Sequence, residues 1–247
     1  MKNFASVALL SVTLFAPSTH AQEKLSGTNA DYRMTVAFKI PEATLQKLLP
    51  AGWESNPPAS GANIGITMVE GISSEDAEGK PARPNIGVAV TAPVKKSGTN
   101  ETGAMVLTGL FMPHYAPGAY GNFMPAKISI DRRSRVDAGG KTHVRETWDL
   151  KGEDGHSMLI KVTYTRSEVK KNKVEVKVYS GAKPEFYRIY RFEQGTEVVK
   201  SASVNHVSSF SFKATGPKLA SIFDGKQKVV AITAVPWYSR AVSLPSP

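Results

Sequence analysis

Two residues of the sequence are placed to do chemistry, a lysine at 127 and a glutamate at 146. Lys127 follows PHYAPGAYGNFMPA, residues 113–126. In that stretch Pro113, Pro117 and Pro125 fix φ and remove backbone donors, while Gly118 and Gly121 permit angles that other residues resist. Tyr115, Tyr120 and Phe123 add large apolar area with some polar reach, and Met124 stands beside them. Long structured loops in compact domains are usually functional, and this one reads as one side of a pocket whose substrate contacts are Tyr115, Tyr120, Phe123 and Met124. An amine kept dry beside other cations has a lowered pKa and can attack a carbonyl. The plainer account is a rigid surface loop ending in a solvated lysine. Lys127 alternates with Ile128 and Ile130, so isoleucines that face a core send it outward.

Counting by two, Glu146 lies on one strand face with Val144, Trp148 and Leu150. A carboxylate there loses hydration, and its pKa rises unless a cation pairs with it. Such a group serves as a general acid or base, or it is half of a structural Glu–Arg pair. His206 shares a face with Val204 and Phe210 and reads either as a substrate contact or as a satisfied core histidine. The sequence has no H-E-x-x-H, no G-x-S-x-G and no phosphate-binding glycine loop. His114, His143, His156 and His206 show no ligand spacing, so neither a metal nor a cofactor is expected. Absence of cysteine excludes thiolate chemistry and thiolate metal sites.

The elements that would position these groups are mostly strands. Tyr32, Met34, Val36 and Phe38 alternate with Arg33, Thr35 and Ala37, the pattern of a half-buried strand. PEATLQKLLP, from Pro41, has helical leucine spacing with proline in the first turn. Ile64, Ile66 and Met68 share a face, as do Ile86, Val88 and Val90, and the opposite faces carry Gly65, Thr67, Gly87, Ala89 and Thr91. Small residues on a strand face imply a close neighbouring backbone or a ligand. Residues 142–150 and 158–166 form a hairpin, 174–178 and 186–192 are further strands, and 198–213 reads as one long alternating strand. A short helical turn at 216–223 and strands at 229–235 and 237–242 end the chain. About ten strands with one or two short helices predict a single mainly β domain over 22–247, a closed barrel or a sandwich.

Met1 to Ala21 reads as a signal peptide: Lys2, a short apolar run from Phe4 to Phe15, and Thr19-His20-Ala21 as a cleavage site. The protein is then exported, to the periplasm in a Gram-negative source. The net charge is +10. Export makes nucleic acid an improbable partner. Anionic small molecules, polyanionic envelope polymers or a membrane surface suit the charge better, and no second apolar run is long enough for a membrane span.

Several segments together resemble the acetoacetate decarboxylase-like superfamily. DYRMTVAFKIPEATLQKLLPAGWE resembles its opening strand and helix, and NIGVAVTAPV its second barrel strand. GAYGNFMPAKISI resembles its Gly-aromatic-Pro-Lys turn, and KLASIFDGKQKVVAITAVPWYSRAV its C-terminal strands. The resemblance implies a closed antiparallel β-barrel with an interior pocket, and a lyase that forms a lysine Schiff base with a small keto or carboxylic acid. It places the family's nucleophile position at Ala126, the neighbouring lysine at Lys127, the catalytic glutamate near Gly87 and the first-strand arginine loosely at Arg33. The expectation is therefore that Lys127 forms the imine, Glu146 moves protons and Arg33 contacts substrate, in a chain that could form a homo-oligomer. The alternative is an exported binding protein holding a small apolar or anionic metabolite in the same cavity. A third reading is an envelope protein with a filled barrel.

Overall fold

The structure, a computed structural model, describes residues 23–245; the expected signal peptide lies outside them. Seven strands pair in a ring. β1 (Lys24–Lys39) lies between β3 (Ile64–Asp76) and β12 (Lys228–Leu244). β3 pairs with β4 (Ile86–Lys96), and β4 with β5 (Thr102–Phe111). On the other side β12 pairs with β10 (Tyr187–Lys200), and β10 with β9 (Lys170–Ser180). β9 then meets β5 through Ala104–Val178, Met105–Tyr179 and Val106–Ser180. That last pairing is parallel, so the ring is not the purely antiparallel one expected. Short β2 (Trp53–Ser55) sits on β4, after α1 (Glu42–Gln46).

The other four strands form a wing. β6 (Phe123–Val136), β7 (Thr142–Gly152), β8 (Ser157–Thr165) and β11 (Val207–Thr215) pair antiparallel in that order. A short parallel contact between β5 and β6 joins the wing to the ring. α2 (Pro217–Ala220) follows β11. No helix among the described residues is long and apolar enough to cross a membrane.

Strand parity decides where the core goes. Met34, Val36 and Phe38 on β1, Ile64, Ile66 and Met68 on β3, and Val88 and Val90 on β4 point out of the ring and are fully buried. Trp148, Leu150, Met158 and Ile160 of the wing close over them in one cluster. Phe38 packs on Phe212 and Phe223 at centroid distances of 5.1 and 5.7 Å. Each such side chain contributes about 1.5–3 kcal/mol by leaving water. The largest core therefore lies outside the ring.

Two sequence expectations change. The alternation over 198–213 is broken by a turn, in which Ser201 Oγ accepts the N–H of Ser203 and of Val204 and the Ser201 N–H reaches the Val204 carbonyl. Serine offers the backbone a local partner, which ends a strand without disturbing its hydrophobic count. The two strands expected at 229–242 are one, bent at Pro236, where the register against β1 slips.

Glu146 is fully buried in the seam between wing and ring. Its Oε1 accepts from the Tyr32 hydroxyl and lies 3.4 Å from Arg132 Nε; its Oε2 accepts from Trp148 Nε1 at 3.2 Å. Arg132 also pairs with Glu70 at 2.8 Å and stacks 3.5 Å from the Tyr32 ring centroid. Burial, and then the adjacent Glu146 charge, push the Tyr32 phenol far above its ordinary value. The structural Glu–Arg pair is thus the account that applies, and it ties β1 and β3 to β6 and β7. Glu146→Ala leaves two buried donors without their acceptor and is expected to lower unfolding free energy in urea by about 3 kcal/mol; a loss no larger than the ~1 kcal/mol of a surface pair would contradict the clip.

A second buried carboxylate, Glu197, accepts the Ser167 N–H at 2.6 Å and lies 4.0 Å from Arg166 Nε. Burial pushes its carboxyl above the usual range, and the Ser167 N–H and Arg166 offset this only in part. A glutamate with a raised folded-state pKa gives stability that is present below its unfolded pKa and fades as pH rises through the folded one. Glu197→Gln keeps an acceptor for Ser167 without the charge. Its Tm is expected to exceed the parent's at about pH 8 and to match it at about pH 4; the opposite order would show that the Arg166 pairing dominates.

Candidate functional site

The inward faces of β1, β3 and β4 carry the small and polar residues that the strand patterns left over, and β5, β9, β10 and β12 add valines and aromatics. Thr35, Thr67, Ala89, Thr91, Val106 and Val178 surround a cavity of about 420 Å³. Gly87 also lies on the inner side of β4, but its space is taken by Phe111: a Cβ there would stand 2.3 Å from the Phe111 ring. A carboxylate side chain at that position has no room.

The loop 113–122 packs against this cavity. Gly118 and Gly121 adopt φ of +68° and +72°, and a Cβ on Gly118 would come within 2.7 Å of Phe123. Phe123 packs on Phe111 at 4.4 Å and on Tyr115 at 5.9 Å between centroids. The loop is tied down by Asn122 Nδ2, which donates to the Val106 carbonyl at 2.6 Å, and by Ser180 Oγ, which donates to the Tyr120 carbonyl at 2.7 Å. The Tyr120 hydroxyl donates to that of Tyr190 at 2.6 Å. Tyr115, Tyr120 and Phe123 all line the cavity.

Charge enters from β1 and β12. Arg33 donates to the buried Asp31 carboxylate at 2.6 Å and stacks 3.5 Å from the Tyr238 centroid. Asn29 bridges outward from Asp31 (3.1 Å), and Arg240 Nε donates to Asn29 Oδ1 at 2.8 Å. The Arg240 guanidinium stacks 4.3 Å from the Tyr190 centroid. No carboxylate lies within ion-pair distance of Arg240 among the described residues, whereas Arg33 is neutralised by Asp31. Burial opposes the Arg240 charge, but the neighbouring Tyr190, Tyr238 and Asp31 more than offset it and hold the guanidinium protonated. Arg188 shares the inward parity of Tyr190 and Phe192 on β10. Burial raises the Tyr115 phenol, and Tyr190 adds to this; Arg240, Arg188 and Arg33 all pull it the other way without cancelling it. The hydroxyl thus stands in the field of three guanidiniums. Arg240 and Phe192 also border an open cleft lined by Thr28, Lys173 and Glu175.

The structure brings together Arg33, Tyr115, Tyr120 and Phe123 and leaves four other expected residues elsewhere. Lys127 is exposed on the far face of the wing, opposite Lys151; Ile128 and Ile130 take the core side, as the alternation implied. Glu146 lies outside the ring in the seam described above. Lys127 and Glu146 therefore share no pocket. Met124 packs against the outer core instead of the cavity. His206 is exposed in the turn before β11, its carbonyl accepting the Thr165 N–H. Among the described residues, no lysine lines the ring cavity.

Tyr190, Tyr238, Arg240, Asn29 and Asp31 were missed by sequence reasoning. The signal was present: Asp31 and Arg33, like Tyr238 and Arg240, stand two apart on strands, which puts polar groups on one face. Counting by two from Thr233 and Val235 fails at Pro236, because the bulge there moves the inward parity from odd to even.

No protein-family model and no curated protein matches the sequence. Solved structures do match. An acetoacetate decarboxylase-like enzyme from Sphingomonas wittichii RW1 has a TM-score of 0.53 at 12% identity, over 96% of this chain and 98% of that one. Acetoacetate decarboxylase from Legionella pneumophila subsp. pneumophila strain Philadelphia 1 gives 0.53 at 11%, over 97% and 96%. The enduracididine biosynthesis enzyme MppR, complexed with the condensation product of pyruvate and imidazole 4-carboxaldehyde, gives 0.53 at 10%, over 97% and 95%. At these identities the likeness is one of fold: the chain has the acetoacetate decarboxylase-like fold, mainly β.

Proposed function

We propose that this chain binds a small carboxylic acid inside the ring, with the carboxylate on Arg240 and the apolar part against Tyr115, Val106 and Val178, and that it does so without an imine on Lys127. The observation that carries this reading is the asymmetry of the two guanidiniums that line the cavity. Arg33 is spent on Asp31, while Arg240 points its free edge at the cavity and the cleft. A planar guanidinium with unused donors matches a carboxylate in geometry and charge. The aromatic and valine walls favour a ligand with an apolar body of a few carbons. Export, as the first 21 residues imply, would make this an envelope or secreted protein.

A lysine Schiff base needs an amine in contact with the bound carbonyl, and Lys127 lies on the wrong side of the wing. Catalysis without an imine is the second reading, and Tyr115 favours it. Tyr115 lines the same cavity as Arg33 and Arg240, and a phenol that burial keeps neutral is a hydrogen-bond donor for an oxyanion that develops on a bound keto acid.

Pyruvate, which one structural neighbour binds as an MppR complex, and acetoacetate are the probes. Calorimetric titration is expected to show saturable binding of at least one. Arg240→Ala should weaken it by about tenfold to a hundredfold, the loss of one charged hydrogen-bonded contact, and Lys127→Ala should leave it unchanged. Borohydride added with either acid should give no adduct by intact mass. An adduct that disappears in Lys127→Ala would overturn the reading in favour of the imine. Release of carbon dioxide from acetoacetate that survives Lys127→Ala and is lost in Tyr115→Phe would select the catalytic reading over simple binding.

A further inference from the structure

The outer face of the wing is a four-stranded sheet face with nothing packed on it among the described residues, and its composition is one-sided. The inward positions of β6, β7, β8 and β11 fill the core, so the alternate positions form a continuous exposed face. Seven lysines and arginines and two aspartates stand there, half of the chain's formal excess of +10. Most remaining positions are serine or threonine. Leu159 is the sole large apolar residue, and there is no aromatic.

Placement is more telling than number. Lys127 stands directly opposite Lys151, and Arg133 opposite Arg145. Like charges directly opposite one another destabilise a sheet, and a face selected only for solubility mixes its signs. Asp131 and Asp149 are each taken by a neighbour, at 3.2 Å from Arg133 and at 3.2 Å from Lys151. Arg145, Lys161 and Lys213 have no acidic partner among the described residues. The registers align Arg133, Arg145, Lys161 and Lys213 as one cation per strand. That diagonal crosses the sheet over roughly 20 Å, from the usual strand spacing and rise.

We infer that this face docks a linear acidic polysaccharide, carboxylated or sulfated, laid along the diagonal. Charge complementarity to an extended polyanion accounts for the unpaired cations and for the tolerated like-charge pairs. Threonine and serine hydroxyls between them supply hydrogen bonds to sulfate, carboxylate or sugar oxygen. A second copy of the same face would repel it. Without an aromatic the face offers no platform for stacking bases and no interfacial anchor for a bilayer. The surface is separate from the ring cavity and does not depend on what that cavity holds.

The test compares the full chain with two triple variants carrying the same change of charge: Arg145→Gln/Lys161→Gln/Lys213→Gln on the diagonal, and Lys39→Gln/Lys80→Gln/Arg83→Gln away from it. Binding to immobilised heparin and to polygalacturonate is measured across a salt series, with circular dichroism confirming that both variants fold. The diagonal variant is expected to lose about tenfold or more in affinity near 0.1 M salt and to reduce the slope of log K against log salt by about two, with the control close to the parent. Equal losses in both variants would overturn the proposal, because net charge alone would then account for binding. Tighter binding to single-stranded DNA, or to phosphatidylserine vesicles, with the same dependence on the diagonal would overturn it in favour of that partner.

Discussion

The structure depends on one sorting rule: on β1, β3 and β4, bulky apolar side chains face outward and mostly small or polar ones face inward. Filling a ring of seven strands takes large inward residues. Here those positions on β3 and β4 hold Gly65, Thr67, Gly87, Ala89 and Thr91. The large residues of the same strands are then left on the outside, where they cannot stay in water. The wing is the consequence. Its inner face covers the outward side of β1, β3 and β4 and turns what would be an exposed apolar surface into the main core.

From this arrangement the roles of the charged residues follow. A charge on the inner face of the wing is buried in the seam and needs partners, which Glu146 finds in hydrogen bonds from Tyr32 and Trp148 and an ion pair with Arg132. A charge on the inner face of the ring meets a cavity and, where no carboxylate neutralises it, as at Arg240, can await a ligand. A charge on the outer face of the wing is solvated. Glu146, Arg240 and Lys127 each occupy one of these settings. The groups that looked reactive as sequence, a carboxylate on an apolar face and a lysine after a stiff loop, are a structural clip and a surface cation. The group that faces the cavity with unused donors is an arginine near the C-terminal end.

Much of this was legible in the sequence. The alternation of β1, the small-residue faces of β3 and β4, and the aromatic character of the 113–123 loop all report local periodicity, and local periodicity survives folding. The outward direction of Lys127 was also present in the Ile128–Ile130 alternation. What the sequence could not show was which apolar face met which partner. Glu146 and Tyr32 are 114 residues apart, and nothing local tells a core between ring and wing from a core inside the ring. Arg240 escaped for a different reason: Pro236 displaces the count by one, and every residue after it changes sides. The Ser201 turn hid in the same manner, because Val198 to Lys213 keeps an alternating pattern straight through it.

The central claim, that the hollow ring and its free arginine form the ligand site, is tested most directly by locating a bound acid. Crystals grown with 3-bromopropanoate and measured at the bromine absorption edge would do so. The account predicts an anomalous peak inside the ring between Val106, Val178 and Tyr115, with the carboxylate density on Arg240. An empty ring under saturating acid, or a peak beside Lys127 on the wing, would contradict it.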